Sequence, residues 1–479
     1  MNRRTPGRQN PLGTLRFVAP ASAGVLILVL SFSTASRQSN DTRSNASPRP
    51  EARQGQCGPP HYCARTDRKI EPYPTEPPIV EAAGSIVTDP SFKSRILRVT
   101  DRKTPSGFPG WSFHTSSSSE QNTWNVNSRR FYIEGEGGHF FIFDFDPGKF
   151  VANYAGLDLT NAPVSMQSEA EFSFSNPDLI YGWQTLSPKF IAYDFSTGKS
   201  VVVHDPAKCV DIKPRWRGLD ISVSADDQRL MGVLGPQQDN DPFVYVFDRK
   251  KGCRWYNTST GEIGGEWGPK GSVSLAAHFL IHNARISKSG QYVAISGSGS
   301  ARVIWRVDTL EAALCTHDRP DYCGGHIAMG YSHLVNPLGL SDSMNLGIRP
   351  LDNLASVSPL IRDLPQPLEW GLDKHLSWNN VDASDSAPVC LSTYRDNRGL
   401  QVDRVWDNEI LCVAVGDEKH EVWRFAHTFS TVKHGFWSTP RGNVSQDGRF
   451  FMFTSDWGDT LGSGRNGGYR TDAFILELQ

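Results

Sequence analysis

From about residue 120 to the C-terminus, short segments alternate apolar and polar positions with the period of two that a half-buried strand requires. They come in pairs: an alternating strand, a turn rich in Ser, Asn, Asp and Gly, then a more apolar strand. Clear copies lie at 123–135 (TWNVNSRRFYIEG), 171–182 (EFSFSNPDLIYG), 220–232 (DISVSADDQRLMG), 283–297 (NARISKSGQYVAISG) and 441–455 (RGNVSQDGRFFMFTS). A stretched copy occupies 375–394, and spacing implies a further, weak one around 331–348. The last apolar residue before each turn is Val126, Phe174, Val223, Ile286, Trp378 or Val444, at spacings of 48, 49, 63, 92 and 66 residues. The gap of 92 holds two units, so the repeat averages about 53 residues over seven units, close to one four-stranded propeller blade. Third strands follow at 139–145, 189–195, 243–248 and 302–308, rich in aromatic and β-branched residues. The expected fold is all-β: a seven-bladed β-propeller of four-stranded antiparallel blades across residues 90–479. After residue 455 only one strand remains, 473–478, which leaves the last blade a strand short. An open apolar edge invites aggregation. The segment 95–100 (RILRVT) has strand character and is expected to complete that blade and close the ring.

In such a ring the innermost strands line a central channel. Three residues before the turn marker stand Thr123, Glu171, Asp220, Asn283, His375 and Arg441; one residue before it stand Asn125, Ser173, Ser222, Arg285, Ser377 and Asn443. All twelve are polar, and the positions between them are apolar or small, which predicts a polar, wet channel wall. Glu171, Asp220, His375 and Arg441 combine acid, base and anion-binding groups at one mouth and are the candidate catalytic set. Asn283, Arg285, Tyr331, Trp437 and Asn443 are candidates for substrate binding. Ten of the 13 histidines fall between His204 and His434. Of these His282, His333, His375 and His434, one from each of four blades, are candidate ligands for Mn, Zn or Fe. No compact metal motif supports them, and a structural role is the competing reading for each. Of the 13 Trp, those at 111, 216, 267, 370 and 437 fall in loops, where an exposed indole can stack on a sugar ring. Trp124, Trp305, Trp378 and Trp423 fall in strands and are expected between blades.

The chain start carries an address. Arg3, Arg4, Arg8 and Arg16 precede an apolar run at 23–32 and a small-residue exit, Ser33-Thr34-Ala35. This is the build of a secretory signal over residues 1–36, with an uncleaved membrane anchor as the rival. Residues 37–89 are rich in Ser, Asn, Arg, Pro and Gln and read as a flexible leader. Export, to the periplasm or the extracellular space, makes disulfides available, and proximity suggests Cys57–Cys63 and Cys315–Cys323. Cys209–Cys253 and Cys390–Cys412 would need the fold to join them. The net charge of −2 becomes −6 without the first 36 residues, so a nucleic-acid partner is not expected, nor a membrane beyond the possible anchor. Composition agrees with the repeat: 38% hydrophobic residues suffice for a core, and 43 Gly with 31 Pro supply many turns.

The turns Ser445-Gln446-Asp447-Gly448, Ser287-Lys288-Ser289-Gly290 and Ser224-Ala225-Asp226-Asp227 resemble the S-x-D-G turn of TolB-like, WD-type propellers of exported bacterial proteins. The phrase running from His434 through 444–448 to 453–456 resembles oligogalacturonate lyase propellers, which implies a His-held metal and an acidic sugar substrate. The expected function is an extracytoplasmic module that binds a glycan or a protein at the channel mouth. The alternatives are a metal-assisted polysaccharide lyase or hydrolase, with His375 as base and Arg441 as carboxylate clamp, and a purely structural platform.

Overall fold

The computed structural model describes residues 57–479 except 162–163, 168, 237–242, 274–280, 298–301, 316–325, 339–344, 362–372, 396–403, 417–419 and 466. The signal at 1–36, His278, Trp370 and the pair Cys315–Cys323 lie outside the described residues or depend on them. The described chain is a ring of seven antiparallel sheets of four or more strands. Blade one holds Phe113–His114, Arg130–Gly135, His139–Asp146 and Val151–Asp158; blade two runs from Glu171–Phe172 to Lys199–His204. Blade three starts at Arg217–Val223 and carries two extra outer strands, Glu262–Gly265 and Gly271–Ser272. Blades four and six begin at Ile281–Ile286 and Asp373–Ser377. In blade five, the weak copy, the innermost strand is only Ala328–Met329. It precedes the segment expected at 331–348, so Tyr331 lies in the turn and not on the wall. Two residues are too short for an alternating pattern to register.

Blade seven is composite. Gly442–Val444, Phe450–Ser455 and Asp472–Glu477 come from the C-terminus, and Arg95–Arg98 pairs with the last of these, Leu97 opposite Ile475. The ring is therefore closed by the N-terminal strand, as the missing fourth strand required. Ile86–Thr88 adds a fifth strand outside it.

The core lies between the blades. Each of the seven clusters of buried apolar side chains among the described residues draws on two neighbouring blades; one joins Phe113, Phe131 and Phe141 of blade one to Phe450 and Ile475 of blade seven. Trp124, Trp305, Trp378 and Trp423 are buried in these layers, while Trp437 is 43% exposed. Trp111, Trp216 and Trp267 pack half-buried against the same layers.

The repeated turn has a shared cause. In blade seven the Ser445 hydroxyl donates to Asp447 Oδ1 at 2.6 Å and accepts from the Phe450 N–H at 3.0 Å, while Gly448 takes φ +70°. Ser224 repeats both bonds with Asp226 and Arg229, and Asp227, at φ +56°, takes the place of the glycine. A hydroxyl that holds the turn and a residue able to adopt the left-handed region explain the motif.

The expected leader divides. Residues 37–56 lie outside the described residues. From Cys57, which is bonded to Cys63, the chain packs on blades six and seven. The Tyr62 hydroxyl donates to Gly448 O, Arg65 O accepts from the Arg424 N–H on the outer strand of blade six, and Trp457 Nε1 donates to Pro78 O. Cys209–Cys253 and Cys390–Cys412 are also bonded.

Candidate functional site

The innermost strand of blade one is interrupted. Phe113–His114 pairs with Glu134 and Gly135, and the strand resumes at Thr123 to Asn125, paired with Arg130 to Tyr132. Between them residues 115–122 (TSSSSEQN) leave the sheet and cross the channel. The Glu120 carboxylate accepts from the Ile327 N–H of blade five at 3.0 Å. Gln121 O accepts from the Asn379 amide of blade six at 2.8 Å and the Asn443 amide of blade seven at 3.0 Å. Asn122 exchanges hydrogen bonds with the Phe172 backbone of blade two. The polar wall, expected to be open to water, is thus mostly buried. Glu171, Ser173, His375, Ser377, Arg441 and Asn443 are all buried, because the crossing segment and neighbouring blades occupy them.

The wall acids are shared between blade-to-blade contacts and one cation. Glu171 Oε2 accepts from the Val223 N–H of blade three at 3.0 Å, and Asp220 Oδ2 from the Ala284 N–H of blade four at 3.0 Å. Their remaining oxygens stand 4.0 Å from the Arg285 guanidinium, which is 3.8 Å from Glu120. Burial pushes Glu171 up to about 7, and burial with Glu169 and Glu120 close by takes Asp220 up to about 7, against the pull of Arg285.

On the channel-mouth side of these acids lies a cavity of about 240 Å³. Ser117, Ser118, Ser119 and Glu120 of the crossing segment line it, with Glu169, Asp220, His282, Asn283, His326, His375 and Phe436. On the other side a space of about 20 Å³ reaches Glu120, Arg285 and Lys288, room for about one water. The mouth is therefore the open end of a blind pocket.

Arg441 stands behind one rim. It is fully buried, yet Nε and both Nη atoms make no hydrogen bond. The guanidinium lies 4.1 Å from the Phe436 ring centre and 5.0 Å from that of Trp437, and both rings are about half exposed. Burial lowers Arg441 to about 10 despite the nearby Glu134 and Glu169. Glu134 in turn is raised to about 8 by burial and by Glu169. His114, packed on Trp437, is lowered to about 3 by burial and by Arg441.

The candidate residues fall into separate groups. Glu171, Asp220 and Arg285 meet as described. His375 hydrogen-bonds with the Tyr394 hydroxyl at 3.2 Å and packs against His326 at 4.2 Å between ring centres. His282 and Asn283 line the same cavity. His333 opens the second strand of blade five, bound to Asp385 at 3.0 Å, with Tyr331 in the turn just before it. His434 stacks on Tyr469 and pairs with Asp459. Asn443 holds the crossing segment. Sequence reasoning passed over Glu120, Glu169, Glu134, His114 and Tyr394. Of these only Glu120 had a signal, the polar run 115–122, which breaks the alternation ahead of the first repeat.

No family model and no curated protein matches the chain. Solved structures do match. An oligogalacturonate lyase from Vibrio parahaemolyticus superposes with a TM-score of 0.51 at 11% identity, over 85% of this chain and 99% of that one. The likeness is one of fold. An oligogalacturonate lyase in complex with manganese gives a TM-score of 0.36 at 12% identity, over 83% of this chain and 99% of that one.

Among the described residues, one group of three or more Cys, His, Asp or Glu side chains is tight enough for a single ion: Cys209, Cys253 and Glu266. The two sulfurs are joined to each other, so they offer no thiolate to an ion. Among the described residues, His282, His333, His375 and His434 do not converge in such a group.

Proposed function

We propose that this is an exported propeller that binds an acidic glycan at the blind mouth, with Arg441 receiving a sugar carboxylate. The observation that carries the reading is Arg441 itself. A buried guanidinium with three unpaired nitrogens is costly unless an anion completes it, and a carboxylate matches its fork. Phe436 and Trp437, exposed beside it, suit stacking on a sugar ring. Serine hydroxyls, Asn283 and the acids of the cavity suit sugar hydroxyls. Three disulfides among the described residues agree with an oxidising compartment. The S-x-D-G turns agree with a TolB-like blade.

The test is calorimetric titration of oligogalacturonate into the protein. Binding at one site per chain is expected. Arg441→Ala should weaken it roughly tenfold or more, and Arg441→Lys should restore it only in part, because lysine lacks the bidentate fork. No binding by the wild type would leave the platform reading in its place.

A lyase reading has one observation of its own: His375, paired with Tyr394, lines the same cavity as Phe436, the ring that covers Arg441. A base within reach of a carboxylate-bound sugar is what β-elimination requires. Ultraviolet absorbance of an unsaturated product, lost in His375→Ala, would support it; intact oligomer after prolonged incubation would leave binding alone.

A further inference from the structure

Resting on the glycan reading, we infer that the site takes the end of a glycan chain and not its interior, and that residues 115–122 impose this choice. An unobstructed propeller channel would let a chain pass through or lie along it. Here the channel is shut by a segment of blade one itself, tied by side-chain and backbone hydrogen bonds to blades two, five, six and seven. Ser119 adds two of these ties, its hydroxyl accepting from the Gly442 N–H at 3.1 Å and its carbonyl from the Asn443 amide at 3.1 Å. So many anchors make the segment a fixed floor. The same segment supplies that floor's chemistry, since Ser117, Ser118, Ser119 and Glu120 face the cavity.

Size and shape then limit the ligand. At about 240 Å³ the cavity falls below the roughly 300–1,000 Å³ usual for drug-sized ligands. It has room for a sugar ring, not for a chain entering and leaving. A polymer interior would have to bend both flanking residues back out past Phe436, whereas a chain end enters alone. Glu120 turns one oxygen to the Ile327 N–H and the other, Oε2, toward Arg285 at 3.8 Å, so the acid is held in place as part of the floor.

The test compares polygalacturonate with a short hydrolysate of the same material, at equal mass of sugar, on the intact protein. Binding is expected to rise in proportion to the number of chain ends. Equal binding per gram would overturn end recognition and leave the acidic-glycan reading standing. No binding of either preparation would remove both. A second arm uses Ser118→Phe, which fills the cavity from its floor: hydrolysate binding should fall roughly tenfold or more at an unchanged melting temperature. Retained binding with an unchanged melt would overturn the assignment of the floor.

Discussion

Buried polar groups are the most informative residues in this molecule because their costs differ. Arg285 has carboxylates around it and a backbone acceptor, Ile221 O, at 2.8 Å; Arg441 has neither ion pair nor hydrogen bond. That contrast separates a structural clamp from a candidate ligand group, although both occupy wall positions with the same sequence signature. The alternation of polar and apolar residues was legible in the sequence. Which polar residue lacks a partner was not, because partners come from other blades. Glu134 makes a prediction of its own. Its carboxyl ordinarily ionises near 4.5 but is held protonated to about 8 by burial and by Glu169. The folded state therefore binds the extra proton between those values, and this contribution to stability is lost as pH rises toward 8. Glu134→Gln keeps the shape and removes the titration. Its melting temperature should match the wild type near pH 5 and exceed it by a few degrees at pH 9; parallel pH profiles would show that Glu134 ionises normally.

At the scale of elements, the closing strand and the crossing segment were unequally visible. Arg95–Arg98 could be foreseen because three strands were left for a four-strand blade and the residues favour a strand. Residues 115–122 could not, since a polar run reads as a turn until the channel around it is known. The chain from Cys57 to Pro78 was concealed differently. Its composition is that of a disordered leader, and its anchors are isolated: Tyr62 against Trp423 and Phe425, Arg65 on Arg424, Tyr73 under Phe429. It also covers the outer strand of blade six, Val422–His427, an edge that would otherwise be open to pairing. Deleting residues 57–78 should lower the melting temperature by several degrees and promote self-association, read by thermal melting and light scattering. A monomeric variant with an unaltered melt would show that this segment contributes nothing to the edge.

For the whole molecule, periodicity carried the fold because a propeller repeats one physical problem seven times. Each blade buries its faces only against its neighbours, so the apolar pattern recurs, and the seven inter-blade clusters are its outcome. The site has no such repetition. It is lined by unlike residues from all seven blades, and so it emerges only from the assembled ring. The proposed ligand is an acidic sugar that enters a blind pocket, its carboxylate completing Arg441. A crystal structure of the protein with a short galacturonate oligomer tests this most directly. A sugar carboxylate is expected within hydrogen-bonding distance of the Arg441 guanidinium, beside Trp437, with the terminal ring above Ser118. An oligomer bound elsewhere, or one in the mouth with Arg441 still unpaired, would contradict it.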